Sequence, residues 1–200
     1  VFQDQGKLEP AIDAYNKALF IKPDFVDALN NLGNALKEQG KLQEAIEAYN
    51  KALSFDNQNT GVYFNMGNAL KDQGKFENAV DTYKRALSIK PDYADVAFNM
   101  GDALEKQGKF EVAIKAYEKT LSIKPDYAGA YYNIGIILKK QNKPEDAIEA
   151  YKKALAIKPD FAEVYLNMGN IFKEQGKLEE VIKIYKKALA IKSNHADITY

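Results

Sequence analysis

The residues best suited to chemistry in this chain are amides. Asn31, Asn65, Asn99, Asn133 and Asn167 recur at a constant spacing of 34 residues, and Asn34, Asn68 and Asn170 repeat the theme three residues further on. A carboxamide carries both a donor and an acceptor, so it can pair with the N–H and C=O of an extended peptide while ignoring its side chains. Phe64, Phe98 and Tyr132 each precede a member of the first row and offer apolar anchors. Asn in an exposed helix costs several tenths of a kcal/mol relative to Ala, so five of them give up roughly 3 kcal/mol. A fold selected for stability alone has no reason to hold that residue while neighbouring positions drift. Two readings stay open: a hydrogen-bonding ladder for a polypeptide, or amides that bond adjacent helices or persist from duplication. The aromatic residues likewise either anchor a ligand or pack against the neighbouring helix.

Other chemistry is poorly provided for. The 200 residues include one His and no Cys, which removes disulfides, thiolate nucleophiles and thiolate metal sites. A Ser–His or metal–His site would need partners that are missing. His195 falls where other copies of the pattern carry Phe25, Tyr93, Tyr127 and Phe161, which makes it a packing residue. Acidic pairs such as Glu179-Glu180 fall on a solvated helix face, and no Gly-rich phosphate loop is present. Lys plus Arg number 28 against 28 Asp plus Glu, so the surplus of base needed to coat nucleic acid or an anionic membrane is lacking. No apolar stretch is long enough for a membrane span, and no secretory h-region opens the sequence. The expectation is a cytoplasmic, non-catalytic chain with no cofactor and no metal, whose partner is a protein or extended peptide.

The elements that must position these residues are written in a repeat. Gly40, Gly74, Gly108 and Gly176, with Gly6, share a 34-residue lattice in which Asn142 fills the one vacant node. Gly33, Gly67, Gly101, Gly135 and Gly169 form a second lattice, and Tyr15, Tyr49, Tyr83, Tyr117, Tyr151 and Tyr185 a third. Pro23, Pro91, Pro125 and Pro159 form a fourth, broken at Asn57 and Ser193. Counting from Val26 gives full units 26–59, 60–93, 94–127, 128–161 and 162–195, with a partial unit 1–25 before them and residues 196–200 opening another. A single array over 1–200, continuing beyond both ends, is the expected organisation.

Each unit predicts two helices. Ala28, Leu29, Leu32, Ala35 and Leu36 recur at helical spacing, then Leu42, Ala45, Ile46, Tyr49 and Leu53 make a second stripe. Gly40 supplies a left-handed cap between them. In Ile-Lys-Pro-Asp, as at Ile89–Asp92, Pro stops the second helix and Asp is placed to cap the next one. Pro144 and Pro10 are expected in the first turn of a second helix, where a missing N–H costs little. The junction Asp56–Gly61 lacks both the Pro and the following aromatic, which marks it as a candidate hinge.

These residues resemble the tetratricopeptide repeat. The pattern's Leu-Gly at positions 7 and 8 appears as Leu32-Gly33, Met66-Gly67, Met100-Gly101, Ile134-Gly135 and Met168-Gly169. Its large residue at position 4 appears as Leu29, Tyr63, Tyr131 and Tyr165, with Ala97 departing. The small residue at 20 is Ala45, Ala79, Ala113 and Ala147, with Val181 departing, and at 27 Ala52, Ala86, Ala154 and Ala188, with Thr120 departing. The resemblance covers essentially the whole chain. It implies an all-α fold, a right-handed superhelical solenoid of 34-residue helix-turn-helix units whose inner wall is lined by the first helices.

It also implies binding of peptides or proteins without catalysis. The Asn row is similar to that of the repeat arrays of O-linked N-acetylglucosamine transferases, which hold substrate polypeptide. The family's carboxylate clamp is not matched: position 5 is never Lys, position 2 never basic and position 6 never Arg. Acid at position 2 and Lys at position 12 either suit the helix dipole or form charged rails along the groove. Two alternatives to a free-standing binder remain: the substrate-recruiting part of a larger glycosyl- or sulfotransferase, and a scaffold that self-associates end to end through uncapped termini. Replacing Asn65, Asn99 and Asn133 together by Ala is expected to abolish peptide binding while leaving thermal stability equal or higher, as read by titration and thermal melts.

Overall fold

The computed structural model of the chain describes residues 5–196, with side chains over 8–191. All regular structure among these residues is α-helical. The first helices of the units are α2 (Val26–Glu38), α4 (Thr60–Asp72), α6 (Ala94–Lys106), α8 (Ala128–Lys140) and α10 (Ala162–Glu174). The second helices are α1 (Gln5–Ile21), α3 (Leu42–Phe55), α5 (Phe76–Ile89), α7 (Phe110–Ile123), α9 (Pro144–Ile157) and α11 (Leu178–Ala196). Every first helix thus opens at the first residue of a 34-residue unit. No described helix is long and apolar enough to cross a membrane.

The chain divides into two compact units, Val1–Ala113 and Ile114–Tyr200. In the first, α2 packs between α1 and α3, α4 packs between α3 and α5, α6 packs against α5, and α4 lies beside both α2 and α6. In the second, α8 pairs with α9, α9 with α10, and α10 with α11. The core of that unit is Ala147, Tyr151, Ala154, Val164, Met168 and Ile171.

The glycines at position 8 explain why the paired helices come so close. A Cβ built on Gly33 would lie 2.5 Å from Cε1 of Tyr49. At Gly67, Gly135 and Gly169 it would run into the rings of Tyr83, Tyr151 and Tyr185. Tyr49, Tyr83 and Tyr151 are wholly buried, so the ring has nowhere to go. The position-20 and position-27 alanines are buried beside them. Thr120, the departure at position 27, is tolerated because its hydroxyl donates to Ala116 C=O at 3.0 Å inside the same helix.

The turn between paired helices is a Schellman motif. Gly40 N–H donates to Lys37 C=O at 2.9 Å and Lys41 N–H to Leu36 C=O at 2.9 Å, with Gly40 at φ +79°. At Asn142, the one substitution on this lattice, φ is 58° and the same two bonds form, from Asn142 N–H to Lys139 C=O and from Lys143 N–H to Leu138 C=O. Asn tolerates the left-handed region better than other side chains, which is why the node can be filled.

Some local expectations change. The Asp of Lys-Pro-Asp does not cap the next helix: the cap residues are Phe25, Tyr93, Tyr127 and Phe161, without side-chain cap bonds. The junction is instead closed by the lysine lying over the aromatic ring, at 5.5 Å for Lys22–Phe25, 5.1 Å for Lys90–Tyr93, 5.5 Å for Lys124–Tyr127 and 5.0 Å for Lys158–Phe161. The Asp56–Gly61 junction has its own fastening. Val62 N–H donates to Asn59 Oδ1 at 3.1 Å, and Asn59 Nδ2 donates to Asp56 Oδ2 at 3.1 Å. Hydrogen bonds therefore stand where the other junctions carry Pro and the aromatic.

Pro144 opens α9 as expected, whereas Pro10 lies inside α1, as the sixth of its described residues. Likewise α11 runs through Ser193 to Ala196, since a residue that keeps its N–H stands where other junctions carry Pro. The opening of a further unit at 197–200 and the side chain of His195 lie outside the described residues. Gly67→Ala is expected to cost about 1–3 kcal/mol by overpacking the Tyr83 ring, and Gly74→Ala about 1–2 kcal/mol through its left-handed backbone. Urea denaturation of the two variants checks both values.

Candidate functional site

The candidate residues sit on the faces of the first helices that their partner helices leave uncovered. In α2 the buried stripe is Ala28, Leu29, Gly33, Ala35 and Leu36, so Asn31 is exposed and Asn30, Asn34 and Lys37 are half-buried. Position 6 therefore faces outward in every unit, with Asn65, Asn99, Asn133 and Asn167 all half-buried. Each of these four also has a bond within the fold.

In the first unit, Asn65 Nδ2 donates to Asn30 Oδ1 at 2.9 Å, across the neighbouring first helices α4 and α2. Asn99 is used at both ends: its Nδ2 donates to Asp95 C=O at 2.8 Å, and its Oδ1 accepts from Lys71 Nζ at 2.5 Å. In the second unit, Asn133 Nδ2 donates to Tyr117 Oη at 3.2 Å, and Asn167 Nδ2 to Tyr132 Oη at 3.1 Å. These bonds revise the stability expected on replacing Asn65, Asn99 and Asn133, because each substitution removes a bond between elements or within a helix. The cost is about 0.5–1.5 kcal/mol apiece.

The second amide row has a purpose that spacing alone did not reveal. The Tyr49, Tyr83 and Tyr185 hydroxyls donate to Oδ1 of Asn34, Asn68 and Asn170 at 2.8, 2.7 and 2.8 Å. Each bond ties the outer face of a first helix to the second helix behind it. Burial pushes the Tyr49 and Tyr83 hydroxyls well above their ordinary range, and the charges of Glu38 for Tyr49 and of Asp102 and Asp72 for Tyr83 push further. They stay protonated and donate. Tyr151 is raised chiefly by burial too, but its hydroxyl is buried without a partner. The corresponding position 9 is Ile136, which packs against the core and offers no acceptor. The sequence did hold a signal: Tyr stands at position 24 in every copy, where Phe would fill the same space.

The aromatic candidates pack in layers. Phe64 lies 5.5 Å from Tyr93, and Tyr132 lies 4.9 Å from Phe161, with Lys90 over the Tyr93 ring and Lys158 over the Phe161 ring. Phe98 is half-buried at the equivalent place in α6. The position-12 lysines reach across to the next first helix rather than simply balancing a helix dipole. Lys37 is 3.9 Å from Asp72, Lys71 3.3 Å from Asp102, and Lys139 3.0 Å from Glu174.

Clefts open on the other side, between successive second helices. One of about 630 Å³ lies between α3 and α5 over Tyr63 and Met66 of α4, and one of about 260 Å³ lies between α7 and α9 over Tyr131 and Ile134 of α8. Neither was foreseen, because their walls come from helices a full repeat apart.

Models described as TPR repeat match residues 1–40, 33–74, 67–108, 101–142 and 137–176, and one described as tetratricopeptide repeat matches 162–195. Among solved structures, the crystal structure of MamA aligns at 28% identity and a TM-score of 0.77, over 83% of this chain and 97% of that one. The crystal structure of YrrB, described as a TPR protein with an unusual peptide-binding site, aligns at 20% identity and a TM-score of 0.71, over 92% of this chain and 95% of that one. A tetratricopeptide repeat protein from Parabacteroides merdae aligns at 22% identity and a TM-score of 0.79, over 94% and 75%. At these lower identities the likeness concerns the fold alone. No match was found among curated proteins. From the hydroxyl geometry, Tyr83→Phe is expected to lose about 0.5–1.5 kcal/mol by stranding Asn68, whereas Tyr151→Phe is neutral or stabilising. Chemical denaturation of the pair separates the two.

Proposed function

The chain belongs to the tetratricopeptide repeat family, and we propose that it is an interaction scaffold holding an extended polypeptide against its first helices. The observation that carries this reading is the state of the position-6 amides. Asn31 is exposed, and Asn65 and Asn167 spend an N–H on a neighbouring helix while keeping a carbonyl oxygen to accept a peptide N–H. Bonds that fix an amide's orientation lower the entropy lost when it receives a ligand. Phe64, Phe98 and Tyr132 stand beside the row as half-buried apolar contacts. Asn34, Asn68 and Asn170 act mainly as braces, through their Tyr partners.

A row that contacts backbone favours extended conformation over particular side chains, and the reading assigns the chain no chemistry of its own. It treats the 34-residue units as one array. The similarity in fold to YrrB, described as carrying a peptide-binding site, is in keeping with it. Magnitudes demand several contacts at once: a net hydrogen bond contributes roughly 0.5–1.5 kcal/mol, against roughly 4–15 kcal/mol for association. Titration of a labelled unstructured peptide is expected to show weakening of roughly tenfold for Asn31→Ala with Asn65→Ala, and equal affinity for a scrambled peptide. An unchanged affinity in that double variant, with Glu44→Gln as control, overturns the reading.

A further inference from the structure

The cleft between α7 and α9 has a composition unlike the first-helix faces. Its floor includes the half-exposed Tyr131, its walls include Leu121 and Leu138, and Glu118, Asp146 and Glu149 line it with their carboxylates exposed. An aromatic face ringed by acids and backed by apolar walls is suited to an aliphatic stem ending in a cation.

The same unit shows what such a ring accepts. One repeat later, Lys187 Nζ lies 5.9 Å from the ring centroid of Tyr165, which is buried. Lys153 is the counterpart of Lys187, 34 residues earlier. It is drawn instead to Glu149, with Nζ 3.1 Å from Oε1. Where Glu149 stands in one repeat, Lys183 stands in the next, so Lys187 has no acid one turn back to hold it. The Tyr165 ring is covered by the chain's own cation, while the Tyr131 ring keeps its cleft of about 260 Å³.

We propose that the cleft over Tyr131 is a second docking site, which takes a lysine or arginine side chain from a basic segment of a protein partner. The stem lies along Leu121 and Leu138, and the cationic head meets the Tyr131 ring and the carboxylates of Glu118 and Asp146. Three acids against the single base Lys153 set the sign of the group admitted. The partner approaches from the second-helix side, opposite the face proposed for the extended polypeptide, so the two could be occupied together.

The test uses the full chain, isotopically labelled for amide NMR. It is titrated with acetyl-Leu-Lys-Leu-amide and with the analogue carrying norleucine for lysine. Shifts centred on residues 118–153 with the lysine peptide and none with norleucine are expected. Tyr131→Leu should weaken binding roughly tenfold, and Glu149→Gln, which frees Lys153 to cover the ring, should weaken it too. Equal shifts with norleucine, shifts confined to first-helix residues, or full binding in the Glu149→Gln variant would overturn the proposal. Glu149 is exposed, so that variant decides the matter even where circular dichroism shows Tyr131→Leu to be unfolded.

Discussion

The repeats that carry Gly33, Gly67, Gly135 and Gly169 depend on one contact, a tyrosine ring packed against a backbone that has no side chain. With Gly33 facing Tyr49 and Gly67 facing Tyr83, the two helices of a repeat approach until the ring fills the space a Cβ would occupy. The close approach brings the alanines at positions 20 and 27 into contact, and it carries the phenol through to the far side of the first helix. There it meets Asn34 or Asn68. A packing constraint in the core therefore fixes the orientation of polar groups on the outer face. Tyr151 keeps the packing and lacks the hydrogen bond, which shows that the two roles are separable.

The junctions solve one problem by two means. Most hold the chain between repeats with a lysine over the ring of an aromatic cap residue, a contact that needs Lys, Pro and the aromatic in register. The junction at Asp56–Gly61 has lost that set and uses a carboxylate and an amide instead. At Asp56–Gly61 the Asn59 side chain accepts from the first turn of the next helix, the lysine–aromatic junctions have no side-chain cap bond, and neither kind requires the Asp of Lys-Pro-Asp as a cap.

Charge is also placed more deliberately than the even total suggests. On the first helices, lysines at position 12 are committed to acids in the following repeat, so they brace neighbouring helices. On the second-helix side, the switch from Glu149 to Lys183 decides whether a lysine four residues on stays in solvent or folds over a tyrosine. Such pairs are individually weak at the surface. Their effect here is steric and directional, in choosing which ring is covered.

The periodicity by itself determined the helical class, the helix starts at Val26, Thr60, Ala94, Ala128 and Ala162, the left-handed turns and the buried stripes. These follow from short-range rules: apolar spacing, glycine's backbone freedom and proline's missing donor act within a few residues, so they can be read along the chain. The rows of Asn were equally visible, but their partners were not. Whether Asn65 bonds Asn30, whether Asn99 is taken by Lys71, and whether Tyr131 lies open while Tyr165 is covered depend on side chains 22 to 35 residues apart. Only packing sets those distances, because the same residue type at the same register position meets a different neighbour in each repeat.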